Sequence, residues 1–491
     1  MTFASAISTV SQWRSLPQLA ITVAAIFAIL LLSALFQLPD PMIRHDDYPA
    51  LLADPELFYS KTLTEGRWVN YLWHLRGVVT PAWLNFLVYQ LLWAIYLGSL
   101  VHNAFDREAE VWQQVMVALI AGLSLPWVLI SMWFNTLIPG LAILALYGWL
   151  ATRLSERACR WLMLVFVPAA LMSYTTYPFL ILAMSLTRAD TARSAKDLAG
   201  LLVLFIASFA LGMLAIYSLN YAEHGVFGVP MADWRNPSPA TDLASVLSNS
   251  KLAADFLGKL VLKGGGYSIT WLALLQAALL GCAVWAVLRR DRWRALYMLS
   301  GAGLGLLLLC LQVLRSGIDM PVRSGGFLWA FGAVFVGLFA LQLCDGGRAR
   351  LSRNLLFSAT ALYVIFAGLT HYFSTEWNRL SRHMAAELAG REGPVYVTGT
   401  YLSLEAASKS DLQAERSVEF RLNYLTGRDI VICERRPEAC AGLPEELRGG
   451  LLEGRGYEVR HIEGGSVLML SPEALREGKL EAARKNRQAD G

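Results

Sequence analysis

Hydrophobic positions run in long blocks through the first three quarters of the chain and in short alternating runs through the last quarter. About 20 consecutive apolar residues let an α-helix cross a hydrocarbon core of about 30 Å. Blocks at or near that length lie at 19–38, 81–101, 112–132, 136–151, 161–172, 177–186, 198–219, 269–288, 295–314, 328–343 and 355–371. They predict eleven membrane helices. The blocks within 112–151 and 161–186 are crowded and hold Pro126, Pro139 and Pro178. One helix there is expected to be broken or re-entrant, which a bilayer tolerates only where protein or a water-filled cavity lines it. The first block reads as a retained anchor, because its apolar core is longer than that of a signal peptide and no convincing small-x-small cleavage site accompanies it.

Beyond residue 372 the period changes. A charged helical pattern over 375–390 ends at Gly390, a good helix stop. Short β-branched or alternating runs at 394–399, 429–433, 457–462 and 466–471 predict strands. Helical patterns at 411–425 and 443–453 lie between them, and the charged, alanine-rich 473–491 is expected to fray. The fold class is therefore an all-α polytopic membrane domain of about 11 transmembrane helices, residues 1–372, followed by a small C-terminal α/β domain, residues 373–491.

Composition sharpens this division. Apolar residues make up 55% of the 491 and charged residues 16%, against about 25% charge in ordinary soluble domains. Mean hydropathy is +0.44. The charge deficit is uneven: Asp, Glu, Lys and Arg number 44 over residues 1–372 and 36 over the much shorter 373–491. A wholly soluble enzyme, a nucleic-acid-binding protein and a disordered scaffold are all disfavoured. The net charge of +4 says little about partners, but the placement of the cations says more. Arg14, Arg107 and the short stretches 153–160, 188–196, 289–294 and 346–353 hold 15 Lys and Arg, which marks them as cytoplasmic by the positive-inside rule. The alternate loops, at 39–80, around 133–136, 173–178, 220–267 and 315–327, then face outward. Eleven spans put the N-terminus inside and the C-terminal domain outside, as in a bacterial inner membrane with that domain in the periplasm.

Cysteine usage agrees. Cys159, Cys282, Cys310 and Cys344 lie in or beside apolar blocks and read as packing residues. Cys433 and Cys440, seven residues apart in the tail, are placed either for a local disulfide in an oxidising compartment or as two unpaired thiols. CxxC, HxxxH, GxxxxGK[ST] and GxSxG motifs are absent, which argues against a nucleotide-driven pump or a serine hydrolase.

The richest chemistry follows the first block. His45, Asp46, Asp47 and Tyr48 come about eight residues past the membrane edge. Adjacent carboxylates diverge on a helix and on a strand, so a division of labour is expected: one reaches into a site while the other orients a neighbour or helps to hold a cation. A carboxylate near low-dielectric surroundings has a raised pKa unless a cation offsets the desolvation, and a base for a hydroxyl group uses that setting. The bland alternative for Asp46 and Asp47, as for Asp54 before Pro55, is helix capping. Further on, Phe58, Tyr59, Trp68, Tyr71 and Trp73 interleave with Lys61, Arg67, His74 and Arg76, which suits either a helix lying on the bilayer or sugar stacking with phosphate pairing. Loop 220–267 adds His224, Asp233, Arg235, Lys251, Asp255, Lys259 and Lys263, mostly expected as the solvated face of an amphipathic helix at 241–262. Arg315 and Arg323 near a span mouth are candidates for lipid phosphate. Tyr174 and Tyr177 are candidates to line a cavity or to anchor at the interface.

An Asp-Asp pair in the first outward loop resembles the membrane-embedded C-type (GT-C) glycosyltransferases. More narrowly, Asp46-Asp47-Tyr48 followed by Gly66-Arg67-Trp68, with Ser173-Tyr174 between two short spans, resembles the bacterial O-antigen glucosyltransferases of the serotype-converting type. That family often has Gly-Arg-Pro where this chain has Gly-Arg-Trp, and the C-terminal domain is not part of the signature. The resemblance implies a polyprenyl-phosphate sugar donor and an acceptor such as lipopolysaccharide O-antigen, another envelope glycan or pilin. It implies an inverting displacement, with Asp46 or Asp47 as base. His45, Tyr48, Lys61, Arg67, Trp68, Tyr174, Arg315 and Arg323 would then bind substrate, and a divalent cation (Mg or Mn) on Asp46 and Asp47 would be optional. Two alternatives remain: a polymerase or ligase with a lipid diphosphate donor, and a translocator of lipid-linked sugar without chemistry.

Overall fold

The computed structural model describes residues 16–475 except 53, 107, 233–234 and 452–455, together with residue 481. Arg14, Arg107, Asp233, the end of the 443–453 pattern and most of 473–491 lie outside the described residues.

Each apolar block is helical, but not every one is long enough to span a membrane. Seven helices are long and apolar enough: Ala82–Phe105, Leu125–Ala151, Ala195–His224, Thr270–Arg290, Arg292–Ser316, Phe327–Asp345 and Ala349–Leu388. Pro17–Ser33, Val111–Gly122 and Tyr177–Thr187 are shorter apolar helices, and Glu156–Leu171 is another short one. The expected 112–132 span is interrupted. Val111–Gly122 stops, Ser124 is extended, and Pro126 opens a new helix that runs on through a tight turn into Phe134–Ala151. Proline fits there because the first helical turn has no partner for its missing N–H. Large apolar side chains such as Val203, Leu214, Leu274, Trp285 and Ile365 stand out from these helices. Apolar side chains exposed along long helices suit lipid rather than water, and the chain has the features of a membrane protein.

The two sets of loops gather separately. In the arginine-rich set, Arg160 pairs with Glu156 and Asp197, Arg193 with Asp291, Arg290 with Asp345 and Arg294 with Glu108. In the other set, Asn70 Nδ2 donates to the Ser173 carbonyl at 2.9 Å, Trp68 Nε1 to Asn220 Oδ1 at 2.8 Å, and the Ser238 N–H to the Ser316 carbonyl at 2.9 Å. Close packing draws the second set together further down. A Cβ on Gly140 would lie 2.0 Å from Ser173 Oγ, so the 134–151 helix and the 173–177 turn meet only because that position is glycine.

The tail has the expected four strands: β1 (Val395–Thr398), β2 (Ile430–Ile432), β3 (Tyr457–Ile462) and β4 (Gly465–Leu470). They form one sheet in the order β2-β1-β4-β3, with β1 parallel to both neighbours and β3 antiparallel to β4. Cys433 and Cys440 form a disulfide with Cα atoms 5.6 Å apart. The expected break at 372/373 falls inside a continuous helix, Ala349–Leu388, of 40 residues, about 60 Å long at 1.5 Å per residue. That single rod joins the apolar bundle to the sheet domain.

Candidate functional site

After the first helix the chain runs extended and then makes one tight 3-10 turn at His45–Asp47. The turn sends the two carboxylates in different directions. Asp47 is fully buried, and its oxygens accept the backbone N–H groups of Asn135 (3.0 Å) and Thr136 (2.8 Å). Those are unpaired donors at the start of the Phe134–Ala151 helix. Asp47 therefore caps a helix 88 residues away, and Asn135 Nδ2 and Thr136 Oγ1 answer by donating to the carbonyls of Asp47 and Asp46. Burial pushes the Asp47 carboxyl up to about 7, with the charge of Asp46 adding to it and the bonds from Thr136 and Asn135 opposing it.

Asp46 faces the other way, with 12% of its side chain exposed. His45 Nε2 lies 3.1 Å from Oδ1, Lys61 Nζ 3.4 Å from the same oxygen, and Arg67 4.0 Å from Oδ2. Burial works against its charge, but Lys61, His45 and Arg67 outweigh burial and hold the carboxyl well below the usual range. The same cations meet a second acid that the sequence reading did not single out. Glu65 is 2.8 Å from Lys61, 2.6 Å from Arg67 and 3.0 Å from Arg235. Its carboxyl is likewise held low: burial is overcome by Arg67, Lys61 and Arg235. The only sequence signal for Glu65 was its place four residues after Lys61, the helical spacing of an ion pair.

Gly66 sets this geometry. It closes the Glu56–Glu65 helix in a left-handed conformation (φ 68°), with its N–H on Lys61 and Thr62 carbonyls. A Cβ there would also meet Ile216 at 2.9 Å. The reversal brings Arg67 back over its own helix end, between Glu65 and Asp46, with its guanidinium 5.5 Å from the Tyr174 ring centre.

The other expected site residues divide. His45, Lys61, Arg67 and Tyr174 converge with Asp46. Trp68 is buried, bonded to Asn220 and tilted over His224 at 5.8 Å, so it fastens the 68–74 helix to the Ala195–His224 helix. Tyr48 is buried against Phe420 (5.8 Å) and Tyr424 (6.3 Å) of the C-terminal domain. Arg315 is exposed at the end of its helix and makes no ion pair with the cluster. Arg323 lies 4.4 Å above the Trp133 ring, whose centre is also 5.2 Å from the Arg44 guanidinium. Nothing local in the sequence marks Arg44, a buried cation paired with Asp411. The same holds for Asp40, which takes Arg421 on both oxygens and Arg382 on one. These two contacts and the Tyr48 ring clamp the 40–48 segment to the C-terminal domain.

A divalent cation fits this donor set poorly. Each oxygen of Asp46 and Glu65 already faces an ammonium, guanidinium or imidazole, and both oxygens of Asp47 are taken by backbone N–H groups. Among the described residues no three His, Cys, Asp or Glu converge as ligands. The arrangement suits an anion better: guanidinium and ammonium groups stand around a partly open carboxylate beside an aromatic ring. The chain matches no family model, no curated protein and no solved structure.

Proposed function

We propose that this chain is an integral membrane glycosyltransferase that moves a hexose or pentose from a polyprenyl-phosphate donor to an envelope glycan or protein acceptor on the extracytoplasmic face. The observation that carries the reading is Asp46: a partly open carboxylate just past the first apolar helix, with Lys61 and Arg67 within 4.0 Å. In a single inverting displacement the acceptor oxygen forms the new bond to the anomeric carbon as the bond to the carrier phosphate breaks. Asp46 takes the hydroxyl proton, and Arg67 and Lys61 receive the charge that builds on the departing phosphate. A carboxylate held low by cations is a weak base in the resting protein. An arriving phosphate competes for Arg67 and Lys61, which lifts the Asp46 pKa when the base is needed. Tyr174, buried under Arg67, backs the guanidinium and holds it toward the phosphate. Asp47 acts from behind as a positioning residue, through the helix it caps. The arginine-rich loops at the opposite end of the bundle support an outward-facing site, and the disulfide of the tail supports an oxidising compartment.

The test is transfer of radiolabelled polyprenyl-phosphate hexose or pentose to extracted lipopolysaccharide or pilin by purified protein in nanodiscs. Asp46→Asn is expected to lower kcat by about 100-fold or more, the usual size of a general-base contribution, with insertion unchanged. Equal turnover by this variant overturns the assignment. Passage of lipid-linked sugar across proteoliposomes without any transfer replaces the enzyme with a translocator.

A further inference from the structure

The Glu56–Glu65 helix has two working faces. Lys61 and Glu65 point into the Asp46 cluster, while Glu56, Leu57 and Ser60 line a cleft of about 460 Å³ shared with the C-terminal domain. The far wall of the cleft is the Arg416–Thr426 helix and the turn after β2, which bring in Arg416, Arg435 and Arg436. Three guanidiniums therefore share a space with two carboxylates, Glu56 and Glu419. Arg435 and Arg436 divide Glu419 between them, each at 3.4 Å. Arg416 is exposed and has no acidic partner among the described residues. A guanidinium presents five donors in a fork that matches carboxylate or phosphate oxygens, so the cleft has donor capacity that its own acids do not fill. Its lining is mainly polar but includes Leu57, 41% exposed, and a half-buried Phe420, apolar patches suited to the C–H face of a sugar ring. Its volume lies within the range of small-ligand sites.

Position gives the cleft its meaning. Phe420 also packs against Tyr48, two residues from Asp46. An occupant of the cleft thus lies one aromatic layer from the segment that carries the carboxylate. We propose that this cleft binds the acceptor, a saccharide chain bearing carboxylate or phosphate groups, and that the C-terminal domain selects for that charge. The proposal rests on the transferase reading for the word acceptor, but not for the binding itself.

Binding is therefore measured apart from transfer. Full-length protein in nanodiscs is titrated calorimetrically with an oligogalacturonate and with a neutral malto-oligosaccharide of equal length. The anionic chain is expected to bind at least tenfold tighter and to weaken as salt rises. Arg416→Gln, which removes a side chain with no ion pair or hydrogen bond among the described residues, and Arg435→Gln are each expected to cost about tenfold in that affinity. Asp46→Asn is expected to bind as wild type. Equal binding of the charged and neutral chains, or unchanged affinity in both arginine variants, overturns the proposal. Arginine-dependent binding by a protein that transfers no sugar keeps the cleft and discards the transferase reading.

Discussion

Asp46 and Asp47 are neighbours with opposite fates, and the difference is set by what each oxygen meets. Asp47 is sealed against the start of a helix, where its raised pKa of about 7 records incomplete compensation for burial. The sign follows from that shift. The folded protein holds a proton on Asp47 above the ordinary carboxylate pKa, so the stability linked to Asp47 is full near pH 4 and is lost as pH rises through about 7. Asp47→Asn keeps one acceptor oxygen but turns an amide toward an N–H donor. It is expected to cost about 1–3 kcal/mol, the size of an unsatisfied buried polar group. The thermal-shift gap between wild type and variant is expected to be widest near pH 4–5 and to narrow toward pH 8. A gap that widens with pH refutes the buried, protonatable cap. His74 runs the other way: burial and Arg76 depress it to about 4, so its stability is present above about pH 6.5 and is lost as pH falls. That is why the variant must be compared with wild type at each pH rather than read from one curve. In the sequence the adjacency of the two acids was visible, and so was the need for them to diverge. Which one would cap was not, because the donors lie 88 residues away.

The next scale is the 40–48 segment and what grips it. Its carboxylate-bearing turn has almost no regular structure of its own, so its shape is imposed from outside. Asp40 is locked by Arg421, itself 1% exposed, and by Arg382. Arg44 and Tyr48 are held by Asp411, Phe420 and Tyr424. Burial of Asp40 is outweighed by Arg421 and then Arg382, and its carboxyl is lowered, so this contribution is present at neutral pH and lost as pH falls through the carboxylate range. Removing one partner of a buried pair leaves an uncompensated charge and costs about 3–5 kcal/mol. Arg421→Ala is therefore expected to unfold or release the tail several degrees earlier. Asp40→Asn together with Arg421→Ala is expected to be less damaging than the sum of the two single changes. Additive losses in thermal unfolding would show that the pair is not coupled. Elements with local causes were legible beforehand, as the four strands were from their alternation. The clamp was not, since each of its contacts joins residues more than 330 positions apart, and neither side looks unusual alone.

At the scale of the whole molecule, the sorting of charge between the two ends carries the argument. The arginine-rich loops meet one another through ion pairs, while the 40–80, 173–178, 220–267 and 315–327 loops meet one another and, through the clamp, the sheet domain. The 40-residue Ala349–Leu388 helix ties that domain rigidly to the second end. On the proposed topology the second set of loops and the sheet domain share one side of the membrane, and the arginine-rich loops lie on the other. Cysteines placed at the exposed Ser238 and Glu463, in a background with Cys282, Cys310 and Cys344 replaced, are expected to react with a membrane-impermeant maleimide in intact spheroplasts. Cysteines at the exposed Lys196 and Arg350 are expected to react only after permeabilisation. Cys433 and Cys440 are expected to take up the reagent only after reduction. Reaction of Lys196→Cys and Arg350→Cys in intact cells, with Ser238→Cys protected, would invert the bundle. Asp46 would then face the cytosol, where nucleotide sugars are available and a lipid-carried donor has no advantage.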